Sequence, residues 1–219
     1  AEVTYRPAHV KGEVRIPPSK SAAHRALLSA ALCKTPCRVG PIDHSADMEA
    51  TLNGVCAMGG TVKAEENGVL CIAPGTAPQS VTVDCGESGS TLRFFIPLFS
   101  LCDQTVRFIG KGRLMQRPQD VYEELFARQG LQFTHDEQGI VISGALLQAA
   151  ISSQFITGLL FTLPLLEEDS IIQIRPPFES RSYIDLTLEM LKKFGIRAVY
   201  EDALTLRIPG RQRYVPCDV

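Results

Sequence analysis

The stretch SKSAAHRALLSAAL (residues 19–32) decides how this chain folds, because it opens with small polar residues and continues as an apolar run of helical length. The same pattern returns in ESGSTLRFFIPLFSL (87–101) and in SSQFITGLLFTLPLL (152–166). A helix that is apolar on nearly all sides belongs in the interior of a protein. These stretches therefore predict three internal helices, at residues 21–33, 91–101 and 154–165.

An equivalent set of elements follows each predicted internal helix. It consists of a short strand, an amphipathic helix that begins near an aspartate and ends at a glycine, and three further strand-like runs. The opening serines of the three copies are spaced by 69 and 63 residues, and the glycines that end the second helices by 70 and 65. Because the serines and the glycines repeat with nearly the same period, the sequence predicts three α/β units, at about 17–85, 86–151 and 152–219. If a pseudo-threefold axis relates the units, the helices pack together inside and the sheets lie outside them.

The second helices and the closing strands have defined expected positions. The helices begin near Asp47, Asp120 and Asp185 and end at Gly60, Gly130 and Gly195. The predicted closing strands are 61–64, 69–72, 81–84, 131–135, 140–143, 146–150, 196–200, 204–208 and 213–217. Asn67-Gly68 between the first two strands is a strong hairpin signal.

The composition excludes several classes of function. A net charge of −2 over 219 residues gives no general attraction to nucleic acid or to an anionic membrane, and no apolar run has the length of a membrane span. The seven cysteines form no CxxC pair and the four histidines have no metal-ligand spacing, so we expect reduced thiols in a cytoplasmic protein and no metal site. P-loop, GxSxG and dinucleotide-binding motifs are also missing from the sequence.

The polar openings of the internal helices are candidates for anion binding. A helix N-terminus leaves backbone N–H groups unpaired and carries partial positive charge, and small residues let a phosphate or carboxylate approach closely. Any one opening is explained equally well by ordinary helix capping, but the same turn recurs three times with cations beside it. The residues concerned are Ser19, Lys20, Ser21, Arg25, Ser88, Gly89, Ser90, Arg93, Arg113, Arg117, Ser152, Ser153, Gln154, Ser180, Arg181 and Tyr183.

Five of these segments together resemble one enzyme family. PPSKSAAHRALL, GESGSTLRF, the RP of LMQRPQ, SSQF and SRSYID are similar, in order and over essentially the whole chain, to 3-phosphoshikimate 1-carboxyvinyltransferase (EPSP synthase). The resemblance implies an α/β fold of two domains, each with three βαβαββ units and helices inside. It implies transfer of the enolpyruvyl group of phosphoenolpyruvate to the 5-hydroxyl of shikimate 3-phosphate, with release of phosphate and with no metal or organic cofactor.

The resemblance also assigns roles to individual residues. Lys20 is expected to contact both substrates and to assist proton transfer. The expected contacts of shikimate 3-phosphate are Lys20, Ser21, Arg25, Ser152, Ser153, Gln154, Ser180 and Tyr183. The expected contacts of phosphoenolpyruvate are Lys20, Gly89, Arg93, Arg117 and Gln154.

Two departures from the family pattern affect the expectation. Glu87 stands where the family commonly has asparagine, and a carboxylate there would repel anionic substrates unless Arg93 or Arg117 paired with it. Family members are also roughly twice as long. We therefore expect an N-terminal domain at 17–219 that is inactive alone, with residues 1–16 belonging to the absent second domain.

Two alternatives remain open on the sequence. The related transferase that acts on UDP-N-acetylglucosamine usually has Lys-Asn where this chain has Lys20-Ser21, and its mobile loop carries a cysteine that KGRLMQRPQ lacks. A non-catalytic module that binds a phosphorylated metabolite would use the same anion-binding turns.

Overall fold

A computed structural model describes residues 4, 11–14, 16–75, 81–102, 104–146, 155–174, 176 and 181–219. The helices in this part of the chain are α1 (Lys20–Ala31), α2 (Ala46–Ala57), α3 (Gly89–Phe99), α4 (Asp120–Arg128), α5 (Ile156–Thr162) and α6 (Arg181–Lys193). The strands are β1 (Cys37–Val39), β2 (Thr61–Ala64), β3 (Leu70–Ala73), β4 (Thr82–Asp84), β5 (Val106–Ile109), β6 (Gln132–Asp136), β7 (Gly139–Ser143), β8 (Ser170–Gln173), β9 (Val199–Tyr200) and β10 (Thr205–Ile208).

Each copy of the repeat contributes a small sheet. The described strands pair in the orders β1-β3-β2, β4-β5-β7-β6 and β8-β10-β9. Asn67 and Gly68 both adopt positive φ between β2 and β3, so the predicted hairpin is confirmed. The inner helices α1, α3 and α5 are largely buried, and α5 is buried at every residue. The predicted α/β class, with helices inside and sheets outside, is thus the observed architecture.

The last strand of one copy joins the sheet of the next copy. β4 follows the first hairpin in sequence but pairs in parallel with β5, where Val83 lies opposite Phe108. The end of the chain repeats this arrangement with β1, because Val219 N–H donates to the Arg38 carbonyl (2.9 Å) and Gly40 N–H donates to the Val219 carbonyl (2.8 Å). The copies are therefore joined by exchanged strands as well as by packed helices.

Close helix contacts depend on two glycines. A methyl group at Gly54 in α2 would overlap the ring of Phe95 in α3, and one at Gly158 in α5 would overlap the Arg93 carbonyl of α3. Because neither site has room for a side chain, these helices approach more closely than larger residues would allow.

One predicted strand is wrong and others are shorter than expected. Residues 213–217 form no strand, because the segment is fastened by tertiary contacts: the Tyr214 hydroxyl donates to the Phe161 carbonyl (2.9 Å) and Val215 N–H to the Phe194 carbonyl (2.9 Å). The strand expected at 196–200 is reduced to β9. The third inner helix passes into a 3₁₀ turn at Leu163–Leu165, where Pro164 cannot continue the α-helical ladder. Most of the strand expected at 146–150 lies outside the described residues.

Candidate functional site

Serine side chains cap the first two inner helices. The Ser19 hydroxyl accepts a hydrogen bond from Ala22 N–H (3.3 Å), and the Ser88 hydroxyl accepts one from Thr91 N–H (3.2 Å). Lys20 is then the first residue of α1 and is exposed, while Gly89 is the first residue of α3. These serines act as ordinary helix caps, so an anion at either opening would be bound by the neighbouring side chains and the remaining backbone N–H groups.

Arg25 joins α1 to α5 and α6 in the interior. Its side chain lies one turn after Ser21, and the residue is only 3% exposed. Nε donates to the Thr187 hydroxyl (2.8 Å), and Nη1 donates to the Ser21 carbonyl (2.7 Å). Nη2 donates to the Tyr183 carbonyl (3.2 Å) and to the Thr157 hydroxyl (3.4 Å).

The positive charge of Arg25 has no anionic partner among the described residues. All four acceptors are neutral hydroxyls or carbonyls, and the guanidinium lies 5.5 Å from the centre of the Phe94 ring. Burial lowers the pKa of Arg25 to about 10, an effect opposed by Tyr183, so the group stays charged at neutral pH. Buried charges in proteins are normally paired. One of the five N–H groups of this guanidinium also remains available, which makes the site suited to an anionic ligand.

Two further arginines meet at the start of α3. A methyl group at Gly89 would overlap Nη1 of Arg117, so the absence of a side chain at Gly89 is what lets this guanidinium approach the helix opening. Burial lowers the pKa of Arg93, and the nearby charge of Arg117 lowers it further, although Tyr122 opposes the shift. Within the described chain neither arginine pairs with a carboxylate, so this region also favours an anion.

Aromatic residues hold Arg93 in place. Its guanidinium stacks 5.0 Å from the centre of the Phe155 ring, and its backbone carbonyl accepts a hydrogen bond from the Tyr122 hydroxyl. Phe155 and Tyr122 contact each other edge to face at 4.8 Å. The Nε atom of Arg93 is buried and has no partner in the described structure. A buried donor of this kind costs free energy unless a ligand or a water molecule accepts from it.

Glu87 forms no ion pair with either arginine. Its carboxylate lies beside Gly112 in the loop that precedes Arg113, at a position that a side chain on Gly112 would fill. The pairing with Arg93 or Arg117 that would offset the repulsion of anionic substrates by Glu87 is therefore absent from the described residues. Gly112 has a φ of 60°, and this left-handed turn brings the loop close to the carboxylate.

A second buried hydrogen-bond network runs from His24 on α1 to Ser88 at the N-terminus of α3. His24 Nδ1 lies 2.7 Å from the Thr51 hydroxyl, which lies 2.8 Å from the Thr91 hydroxyl. Thr91 in turn donates to the Ser88 hydroxyl (2.8 Å). Burial, reinforced by Arg25 and Lys20 and opposed by Asp47, lowers the pKa of His24 to about 4. His24 is therefore a neutral, packed histidine.

The described structure brings together some of the predicted site residues. Lys20, Ser21 and Arg25 share the first turns of α1, and the Tyr183 carbonyl on α6 is bound to Arg25 although the Tyr183 residue is 55% exposed. Gly89, Arg93 and Arg117 form the second group. Ser152, Ser153, Gln154 and Ser180 lie outside the described residues.

Four threonines complete the two networks, and no motif in the sequence marks them. Thr51, Thr91, Thr157 and Thr187 are all buried on helices. A lone threonine in an apolar helical stretch carries no signal of a distant partner, and the partners that connect these threonines to His24, Arg25 and one another across different helices are 27 to 162 residues away. Only the folded helices bring these hydroxyls to His24 and Arg25.

No group of three histidine, cysteine or acidic side chains in the described part of the chain is arranged to hold a metal ion. None of its helices is long and apolar enough to cross a membrane.

The chain has the enolpyruvyl transferase fold. EPSP synthase from Acinetobacter baumannii matches it with a TM-score of 0.80 at 22% identity, over 95% of this chain and 49% of the solved chain. The sequence profile described as EPSP synthase (3-phosphoshikimate 1-carboxyvinyltransferase) matches residues 4–219. The chain belongs to the EPSP synthase family.

Individual relatives agree with this assignment. A protein named 3-phosphoshikimate 1-carboxyvinyltransferase from Clostridium perfringens is 42% identical over 225 residues, which cover 98% of this chain and 53% of that protein. A protein of the same name from Clostridium botulinum is 41% identical over 226 residues, and the match covers 52% of that protein. The chain thus spans about half the length of the curated relatives it matches.

Proposed function

We propose that this chain supplies the shikimate 3-phosphate side of an enolpyruvyl transferase. The complete reaction joins the 5-hydroxyl of shikimate 3-phosphate to C2 of phosphoenolpyruvate and releases phosphate by addition and elimination. In this proposal Lys20 lies between the two substrates and assists proton transfer. Family membership supports the reaction class, and the cytoplasm stays its predicted location.

The unpaired charge of Arg25 is the observation that carries the proposal. A buried guanidinium that has four neutral acceptors and no carboxylate among the described residues is stabilised when a ligand carboxylate approaches it. The carboxylate of shikimate 3-phosphate, bound between Ser21 and Arg25, supplies that charge. Its phosphate is then bound by Ser152, Ser153 and Ser180, with Tyr183 beside them and Gln154 across the ring.

The second cationic group is suited to phosphoenolpyruvate. Arg117 lies against Gly89 at a helix N-terminus, and Arg93 has a buried donor without a partner. Two guanidinium groups near backbone N–H groups are a good binding site for a phosphate or carboxylate. Gln154 and Lys20 complete this side in the proposal.

We assign turnover to this chain only together with a second domain. Addition and elimination require groups on both faces of the substrate and closure against water. The chain spans about half the length of its relatives, and residues 1–16 are proposed to run back to the other half. Its proposed partners are the two substrates and that domain, without nucleic acid, membrane or cofactor.

Isothermal calorimetry with shikimate 3-phosphate tests the half-site directly. We expect saturable binding, and the absence of heat at millimolar ligand would overturn the proposal. Mixing the chain with a separately produced C-terminal half of a relative and measuring phosphate release tests the reaction. Binding without any gain of activity would instead favour a non-catalytic module, and turnover of UDP-N-acetylglucosamine would favour the related transferase.

A further inference from the structure

Arg117 is brought to the start of α3 by a 3₁₀ turn at Leu114–Gln116, which lies between β5 and α4. The side chains of Leu114 and Met115 are buried. The turn closes where Arg117 N–H donates to the Leu114 carbonyl (3.1 Å). The position of the Arg117 guanidinium beside Gly89 therefore depends on how firmly this turn is held.

The proline after Arg117 leaves one carbonyl of the turn without its usual partner. In a 3₁₀ turn the Met115 carbonyl accepts from the N–H group three residues later. That residue is Pro118, which has no N–H and which also favours an extended backbone at the residue before it. Arg117 accordingly has a φ of −77° and a ψ of 132°. Because Met115 is buried, its carbonyl requires a donor from elsewhere in the fold.

His135 on β6 supplies this donor. Its Nε2 lies 2.8 Å from the Met115 carbonyl oxygen, and since a carbonyl only accepts, Nε2 carries the hydrogen. Its Nδ1 lies 3.4 Å from a carboxylate oxygen of Glu123 on α4, and the His135 side chain is only 15% exposed. Pairing with Ile140 of β7 fixes His135 in the sheet. The imidazole thus contacts both the turn before Pro118 and the helix after it.

We infer that His135 is a positioning residue for Arg117, and through it for the anionic group of phosphoenolpyruvate. The inference rests on the proposed phosphoenolpyruvate site and gives the imidazole no contact with the substrate. A guanidinium binds an anion through donors in a fixed geometry, so a turn that is free to shift lowers the affinity. The Nε2 contact with Met115 is the one that matters, because Glu123 is 47% exposed and ion pairs at such a surface contribute little.

Two replacements that differ by one methylene separate the two contacts of His135. In His135→Gln the side-chain Nε2 lies as many bonds from Cα as the imidazole Nε2, so it can donate to Met115. In His135→Asn the side-chain Nδ2 matches the imidazole Nδ1, so it keeps a donor towards Glu123 but cannot reach Met115. Gln132→Asn removes the same methylene at an exposed position of β6 and is the matched control.

Nuclear magnetic resonance of the nitrogen-15-labelled 219-residue chain measures both the turn and the site. Amide hydrogen exchange reports the turn at Gln116 and Arg117, whose N–H groups donate within it. Titration with phosphoenolpyruvate, followed at the Gly89 amide, reports the site. In His135→Asn both the exchange rate and the Kd should rise about fivefold to tenfold, as expected for one lost hydrogen bond. His135→Gln should stay within about twofold of the unaltered chain, and Gln132→Asn should change neither quantity.

The two quantities distinguish the ways in which the inference can fail. Unchanged exchange in His135→Asn would show that the turn is held without His135. Faster exchange with unchanged affinity for phosphoenolpyruvate would make His135 a structural residue only. If phosphoenolpyruvate failed to shift the Gly89 amide of the unaltered chain, the proposed phosphoenolpyruvate site would itself be refuted, and the inference with it.

Discussion

His24 and Arg25 are consecutive residues on α1, and each joins this helix to two others through a pair of threonines. His24 reaches Thr51 on α2 and, through it, Thr91 on α3, whereas Arg25 reaches Thr157 on α5 and Thr187 on α6. Both are almost fully buried. The Phe94 ring contacts both side chains: its centre lies 6.4 Å from that of the His24 ring, in an edge-to-face arrangement, and 5.5 Å from the Arg25 guanidinium.

The two networks differ in charge, and this difference separates structure from binding. The low pKa of His24 keeps it neutral, and its chain of hydrogen bonds ends at the Ser88 cap, so nothing further is required. Arg25 remains charged and contacts only neutral acceptors in the described structure. Equivalent threonines therefore complete one network within the protein and leave the other with a charge that has no anionic partner among the described residues.

Replacing Arg25 tests the largest expected difference between the networks. Arg25→Met keeps an unbranched side chain but removes the charge and every donor. Because the ligand carboxylate loses a charge-assisted hydrogen bond and its counter-charge, affinity for shikimate 3-phosphate should fall about 100-fold, or about 3 kcal/mol. Calorimetry measures this change.

The matched control for this change is Arg128→Met. Arg128 is exposed on α4 and pairs with Glu124, so its loss should leave binding unchanged. If Arg25→Met bound the ligand like the unaltered chain, Arg25 would be a structural residue like His24.

Cutting each network at one threonine should separate stability from binding. Thr51→Val and Thr187→Val each keep the shape of the side chain but leave buried hydrogen-bonding partners unsatisfied. Each should therefore lower the free energy of unfolding by about 1–3 kcal/mol. Only Thr187→Val should also weaken binding of shikimate 3-phosphate, by about tenfold, because Arg25 Nε then loses its acceptor. Urea unfolding and calorimetry give the two quantities.

The threonine pair also provides its own control. An equal loss of affinity in Thr51→Val would show that the two networks are coupled through α1, so that the His24 network would also support binding. Unchanged stability in both variants would mean that the hydroxyls contribute nothing to the folded state.

The pH dependence of stability should come from His24 and not from Arg25. A pKa of about 4 in the folded chain, below the ordinary 6.5, means that the unfolded chain binds the proton more readily. The contribution of His24 to the free energy of unfolding is therefore fully present above about pH 6.5 and is lost as the pH falls towards 4. Between pH 7 and pH 5 the loss should be about 2 kcal/mol. Urea unfolding at several pH values measures it.

Asparagine is the informative replacement in this experiment. Its side-chain Nδ2 lies as many bonds from Cα as the imidazole Nδ1, so His24→Asn keeps a donor towards Thr51 but cannot titrate. This variant should show a flatter slope, while His44→Asn, at an exposed histidine, should keep the original one. A slope that persists in His24→Asn would assign it to another group.

Much of the fold was predictable because its signals are local. The apolar runs with polar openings, the aspartate and glycine at the ends of the second helices, and Asn67-Gly68 each specify an element from adjacent residues. The strand expected at 213–217 failed because Tyr214 and Val215 bond to distant carbonyls instead of forming a ladder. Long-range bonds of this kind leave no mark in a short window of sequence.

The candidate site divides in the same way. The sequence motifs were enough to select Lys20, Ser21, Gly89 and Arg117 as candidate site residues. They could not show that Arg25 has no carboxylate partner among the described residues. The partner of Glu87 could not be predicted from the sequence, since only the folded loop shows that its carboxylate lies beside Gly112.

The sequence alone determined three repeated α/β units, buried helices with polar openings, and the likeness to one family. These follow from periodicity and local backbone chemistry, which neighbouring residues set. Only the tertiary structure decided that the copies exchange strands, that His24 is satisfied within the protein, and that Arg25 has no counter-charge among the described residues. Burial and partner choice depend on residues far apart in the chain, and packing alone brings them together.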